Sequence, residues 1–323
     1  MRAFARLVGA ALLIAGPVIA QPLELQRLGV LDGPVDHVRT HGRMVYISAG
    51  NTFSVVDVSN PEAPVRRGTY TFPEQVWGFR LDGERAYVGA NFFGLGVVDV
   101  SDADALRLAS RLETLGQAKI GAPFGSVVAV IDHMDGVAIG DLSDEGAPSV
   151  VASFFVDGYG RDLVADGRLV YAVDSPAGLY VLDLGADDPA EPVGMLQEPG
   201  MPRSIEVTTL PDGRKLVCGP AGGHLQIYEV TSPNAPRHVA TFPTPGRAQR
   251  VAVEGALVFV ADGVEGVLIV DVGSPESPRK VGTHPTSAPV RDLAVGPSLL
   301  FVVEGQSEYE GEDRNLTILR RDK

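Results

Sequence analysis

The stretch "GVLIVDVGSPESPRKVGT", Gly266 to Thr283, decides the fold. Four apolar residues run into Asp271, and a Ser-Pro-x-x-Pro turn follows. The same pattern returns in "FSVVDVSNPEAPVRRGTY", "LGVVDVSDADALRLASRL", "GVAIGDLSDEGAPSVVAS", "GLYVLDLGADDPAEPVGM" and "LQIYEVTSPNAPRHVATF", with "LTILRRDK" at the C-terminus as a worn seventh copy. The anchors are Asp57, Asp99, Asp141, Asp183, Glu229, Asp271 and Arg320, spaced 42, 42, 42, 46, 42 and 49 residues apart. A period of roughly 40–45 residues matches four-stranded propeller blades.

Each unit reads as strands. In the fourth, "RDLVA" is followed by the turn "DGR", then "LVYAVD", a turn with "PAG", "LYVLDL", a Pro-rich turn and "PVGML". Short β-rich runs bounded by Gly, Pro and Asp are strand signals. A helical period of apolar residues is missing after residue 20. Second and third strands apolar on both sides suit sheets packed between two neighbours. The seventh unit ends at Lys323 without a fourth strand, and "PLELQRLGVLDGP" (Pro22 to Pro34) resembles the fourth strands of other units. The expectation is an all-β, seven-bladed propeller of four-stranded blades, its last blade closed by the N-terminal strand. Closure removes exposed sheet edges.

Asp271 then recurs because its turn recurs. At the end of a third strand its carboxylate accepts N–H groups of the turn, and Glu229 and Arg320 show that the position tolerates other polar residues.

The stretches "GVLIVDVGSPESP", "GLYVLDL" and "VVDVSNPEAP" resemble the LVIVD repeat of exported bacterial and archaeal proteins. The resemblance covers essentially residues 21–323 and implies a β-propeller outside the cytoplasm. It implies no reaction.

The ends and the composition bound the rest. Arg2 and Arg6 precede an apolar run of 14 residues, Leu7 to Ala20. That run is shorter than the roughly 20 residues that span a bilayer, and Val18 and Ala20 form a small-residue cleavage site. Residues 1–20 read as a signal peptide and 21–323 as one propeller domain, periplasmic or secreted. The net charge of −14 becomes −16 without Arg2 and Arg6, which disfavours nucleic acid and anionic membrane as partners. Cys218 is the only cysteine, which excludes an internal disulfide and cysteine metal sites. No phosphate loop, HExxH, nucleophile elbow or CxxC pair occurs; no cofactor and no metal is expected. The acidic stretch "GQSEYEGEDRN", Gly305 to Asn315, matches no calcium loop and reads as a solvated flap.

Function should lie where the copies differ. In a propeller the first strand of each blade lines the channel. Those strands read "DHVRT", "WGFRL", "KIGAP", "RDLVA", "RSIEV", "QRVAV" and "RDLAV". Their first column is Asp36, Trp77, Lys119, Arg161, Arg203, Gln249 and Arg291; the second is His37, Gly78, Ile120, Asp162, Ser204, Arg250 and Asp292. Lys119, Arg161, Arg203, Arg250 and Arg291 thus crowd one mouth of an acidic protein. They form either a ring of salt bridges with Asp36, Asp162 and Asp292, or a cleft for a small anion. Trp77, Tyr159 and Phe92 add aromatic groups to the same rim, and the loops after the second strands add Asp132, Asp174, Asp262 and Glu304. His37 and His133 project toward this face as candidate acid–base groups. Two functions fit: a binding protein taking a small anion or a partner at the mouth, or a lyase, isomerase or hydrolase acting on a small carboxylate-bearing substrate, aromatic or not, with one histidine as acid or base.

Overall fold

The structure is a computed structural model and describes residues 23–133, 136–154, 159–175, 178–198, 200–306 and 313–321. The expected signal peptide, Pro22, Glu308, Glu310 and Glu312 lie outside them. Seven antiparallel four-stranded sheets follow one another along the chain, with no helix among the described residues. They are blades 1 to 7, opening with the inner strands His37–His41, Gly78–Asp82, Ala118–Phe124, Tyr159–Asp166, Glu206–Thr209, Arg250–Glu254 and Val290–Val295. The fourth strand of blade 7 is Leu25–Leu31, antiparallel to Asn315–Arg321, from Leu25 opposite Arg321 to Leu31 opposite Leu316. The N-terminal strand closes the ring.

The apolar runs explain the layering. In blade 6, Val267 to Val270 are all buried while Asp271 is half-buried at the strand end. Both faces of such a strand are covered because a blade sits on each side of it. The buried residues fall into seven clusters, each shared by two consecutive blades. Phe53 of blade 1 meets Phe79 of blade 2 edge-on at 5.0 Å, and Leu316 and Phe301 of blade 7 pack with Val38 and Ile47 of blade 1. Burial of large aliphatic and aromatic side chains, about 1.5–3 kcal/mol each, is what holds neighbouring blades together.

Asp271 is scaffold. Its Oδ1 accepts the N–H of Gly273 at 2.8 Å, and its Oδ2 accepts Arg279 at 2.7 and 3.0 Å. Asp57, Asp99, Asp141 and Asp183 each accept the N–H two residues on, at 2.8 to 3.0 Å. These are Asx turns, in which a side chain satisfies a backbone donor that leaves the ladder. The hydrogen bonds from Ser101 and the Arg107 guanidinium hold the Asp99 carboxyl well below the usual carboxylate range.

Two irregularities position the channel mouth. Pairing of the first two strands jumps at Lys119, Arg161 and Arg291, each left over between paired neighbours: Ala118↔Asp132 then Ile120↔Ile131, Gly160↔Asp174 then Asp162↔Val173, Val290↔Glu304 then Asp292↔Val303. These are β-bulges, which redirect a side chain at the end of a strand. In blade 5 the ladder begins only at Glu206, three residues later than the expected strand from Arg203. Pro220 faces this segment on the neighbouring strand and has no N–H to give; the Arg203 N–H still reaches the Pro220 carbonyl at 3.1 Å.

Candidate anion site at the channel mouth

Three of the loop carboxylates, Asp132, Asp262 and Glu304, are occupied with structure. Asp132 accepts the N–H of Gly116 at 2.9 Å, Asp262 that of Gly246 at 3.0 Å, and Glu304 those of Ser287 and Ala288 at 3.0 and 3.2 Å. Each end of a second strand thereby holds the linker that enters its own blade.

The channel is closed by a layer of ion pairs. Asp162, on blade 4, is 1% exposed. Its Oδ1 accepts Arg80 of blade 2 at 3.3 Å, and its Oδ2 accepts Arg250 of blade 6 at 3.3 Å. The same carboxylate accepts the N–H of Leu163 at 2.9 Å and of Ile205 at 3.0 Å. Arg80 also binds Glu206 of blade 5 at 2.5 Å. Burial presses the Arg80 guanidinium toward losing its proton, but Glu206 and Asp162 outweigh it and hold its pKa above the ordinary arginine value. On the other side of the channel, Asp292 of blade 7 accepts Arg39 of blade 1 at 3.1 Å and faces His37 Nδ1 at 3.3 Å. Burial pushes the Asp292 carboxyl up, yet Arg39, the His37 hydrogen bond and Arg250 together hold it far below the carboxylate range. Burial drives the His37 pKa down; the hydrogen bond to Asp292 opposes this, and Arg250 and Arg39 add to it.

Arg39, Arg80 and Glu206 do not stand in the two columns read from the sequence. They occupy the fourth column of "DHVRT", "WGFRL" and "RSIEV". Alternation along the strand was the available clue, since residues two apart share a face: His37 and Arg39 both reach Asp292. Asp36 takes no part in the layer. It accepts Arg314 at 3.1 Å and the N–H of Gly50 at 2.8 Å.

Above the layer lies a cavity of about 310 Å³ lined by Trp77, Lys119, Ile120, Arg161, Asp162, Arg203, Gln249 and Arg250. A second cavity, about 210 Å³, is lined by residues further along the same strands, including Arg39, Arg80 and Glu206. The upper cavity is off-axis, walled by blades 2 to 6. Arg291 does not line it; its guanidinium donates to the Gln306 carbonyl at 3.3 Å. Phe92, 60% exposed, lies outside the lining, in the loop whose Asn91 pairs with Ala118 beside Lys119. Tyr159 opens the inner strand of blade 4 opposite Ser175. His37 sits in the ion-pair layer, whereas His133 follows the second strand of blade 3 and feels Lys119 and Arg161. Its pKa is lowered by burial first and then by those two cations, against Asp132.

The charge balance of the cavity is what sets it apart. In the layer below, Arg39, Arg80 and Arg250 share Asp162, Asp292 and Glu206. Among the described residues, Lys119, Arg161 and Arg203 have no carboxylate within ion-pair distance. Lys119 Nζ donates to the Gly160 carbonyl at 3.3 Å and stands 6.0 Å from the centre of the Trp77 ring. Burial and then the neighbouring Arg161 lower its pKa; Asp174 and Asp132 pull the other way. Guanidinium groups with free donors in a partly enclosed space fit a carboxylate or phosphate.

The LVIVD repeat, as a family model, matches residues 32–71, 75–114 and 245–286, which are blades 1, 2 and 6. The chain carries LVIVD repeats. No curated protein matches it. Among solved structures, Raptor of Chaetomium thermophilum is similar, with a TM-score of 0.73 at 14% identity over 94% of this chain. The chain spans only 29% of that protein's length. The Cps50 (Swd1) β-propeller domain of Myceliophteria thermophila is similar with a TM-score of 0.71 at 13% identity, covering 92% of this chain and 99% of that one. Likeness at this identity establishes the propeller alone.

Proposed function

We propose that this β-propeller is an exported binding protein that takes a small anionic ligand in the basic cavity at its channel mouth. The observation that carries the reading is the cluster of Lys119, Arg161 and Arg203 around about 310 Å³, with no carboxylate within ion-pair distance of them among the described residues, in a chain of net charge −14. The volume stands at the lower end of small-molecule pockets, which favours a compact ligand. Export rests on Arg2, Arg6 and the apolar run to Ala20. A second reading, chemistry on that ligand by a lyase, isomerase or hydrolase, is favoured by His133, a histidine within the electrostatic reach of Lys119 and Arg161.

The test is a melting screen with propionate and inorganic phosphate on the wild type and on Arg203→Ala. A bound anion raises the wild-type melting temperature, and Arg203→Ala weakens binding by about 1.5–3 kcal/mol, the range for a hydrogen bond to a charged group. Without ligand, Arg203→Ala melts with the wild type or above it, because like charge is removed from the cavity. If no anion stabilises the wild type and Arg203→Ala is less stable, the cations are structural and the reading falls.

A further inference from the structure

Lys119 is the exception among the mouth cations. At the bulge, blades 4 and 7 carry Arg161 and Arg291, while blade 3 carries a lysine. The chain has only four lysines, Lys119, Lys215, Lys280 and Lys323, among 27 basic residues. Arginine binds an anion bidentately and stays charged; lysine can shed its proton, and its primary amine then forms imines with carbonyl compounds. The setting of Lys119 favours that role on geometry. Its amine is half-buried in the cavity, faces a tryptophan ring, donates to one carbonyl and, among the described residues, has no carboxylate within ion-pair distance; Asp174 and Asp132 act on it only from further away, and burial and Arg161 outweigh them. Lys215, in contrast, is paired with Asp166, and Lys280 is exposed. Desolvation beside a second cation is a recognised way of activating a lysine, and the lowered pKa of Lys119 agrees with it.

We infer that Lys119 forms an imine with a small 2-oxo acid whose carboxylate is held by Arg161 and Arg203. The inference rests on the anion-site reading and names its ligand class. The free amine adds to the C2 carbonyl, forming the C–N bond; its two protons pass in turn to the former carbonyl oxygen, the C–O bond breaks, and that oxygen leaves as water. Nothing is oxidised or reduced, and no further reactant is consumed. His133, kept neutral near the cavity by burial and the two cations, is suited to carry the proton between nitrogen and oxygen. The 2-oxo acid is singled out because its carbonyl is adjacent to its carboxylate, and the amine of blade 3 lines one cavity with the guanidinium groups of blades 4 and 5.

The experiment incubates the full chain with pyruvate and sodium cyanoborohydride near neutral pH and locates the reduced adduct by peptide mass spectrometry. Lys280 is the internal control, protonated at that pH like any exposed lysine. Labelling of Lys119 should exceed that of Lys280 by about tenfold or more, fall when propionate competes, and vanish in Lys119→Arg, which keeps the charge and melts like the wild type. Propionate separates the two ideas, since it has the carboxylate but no carbonyl. If propionate stabilises the wild type but not Arg203→Ala and no excess adduct forms at Lys119, the imine is wrong and the anion site stands. If neither propionate nor pyruvate engages the protein, both fall.

Discussion

A carboxylate buried in this channel has a different fate from one on the rim, and Asp292 and His37 show why. Asp292 is 1% exposed and meets Arg39 and His37 from blade 1. Buried partners of this kind are costly to break, about 3–5 kcal/mol when one is removed, because the other is left charged in a medium that cannot solvate it. The pair also makes stability depend on pH. The folded state lowers the pKa of His37, so between its ordinary value of 6.5 and its folded value the unfolded chain binds the extra proton. Stability is therefore full above about pH 6.5 and falls as the pH drops through that window. Asp292 acts in the same direction at lower pH, being depressed in the fold, so its contribution is lost only below the ordinary carboxylate range. The expected result is a melting temperature that declines from pH 7 to pH 5, and declines less in His37→Asn, which keeps a donor toward Asp292 but does not titrate. Parallel curves for the two proteins would show that His37 is not buried in this way.

Outer strands carry a small residue at one position in every copy: Gly29, Gly68, Ser110, Ala152, Gly194, Ala240 and Gly282. At Gly29, Gly68 and Gly194 the reason is the turn that follows the third strand of the next blade. A Cβ on Gly29 would lie 2.1 Å from the Pro61 carbonyl oxygen, one on Gly68 2.5 Å from that of Ala103, and one on Gly194 1.9 Å from that of Pro233. The Gly68 N–H uses this closeness to bond the Ala103 carbonyl at 2.7 Å. The turn anchored by each Asp is thus also the part that docks on the preceding blade. Gly194→Val should destabilise the fold by about 1–3 kcal/mol or more, the usual cost of overpacking, because the obstacle is backbone and cannot turn aside. Val193→Ala, at a neighbouring site 38% exposed, should stay within about 0.5 kcal/mol. Equal melting of Gly194→Val and the wild type would mean that the turn does not seat there.

At the scale of the whole ring, charge pairs stand at both ends of the inner strands, and closure comes from packing and from one strand. Where the inner strands end, ion pairs open to solvent on at least one side link neighbouring blades: Arg67 with Asp104, Arg85 with Glu145, Lys215 with Asp166 and Arg214 with Glu276. Exposed pairs of this kind contribute little each, so the ring depends on its seven apolar interfaces and on the strand Leu25–Leu31. Deleting residues 1–31 should leave Asn315–Arg321 as an open edge, lower the melting temperature by roughly 10 °C or more and promote aggregation. An unchanged melting curve would mean that this strand does not close the ring. The sequence by itself determined the seven units, the strand character of each, the role of the Asp anchors and the closing segment, because these follow from local patterns that repeat seven times and average out their exceptions. It also placed Lys119, Arg161 and Arg203 in one column. Tertiary structure alone decided which charges are spent. Arg80 and Arg250 reach Asp162 across the ring from positions 82 and 88 residues away, and Arg291 turns to Gln306 instead of the cavity. A repeat fixes the column in which a side chain stands. The partner it finds depends on how seven different blades converge on one narrow channel, where whole-molecule geometry and the cost of burying an unpaired charge choose among the pairings.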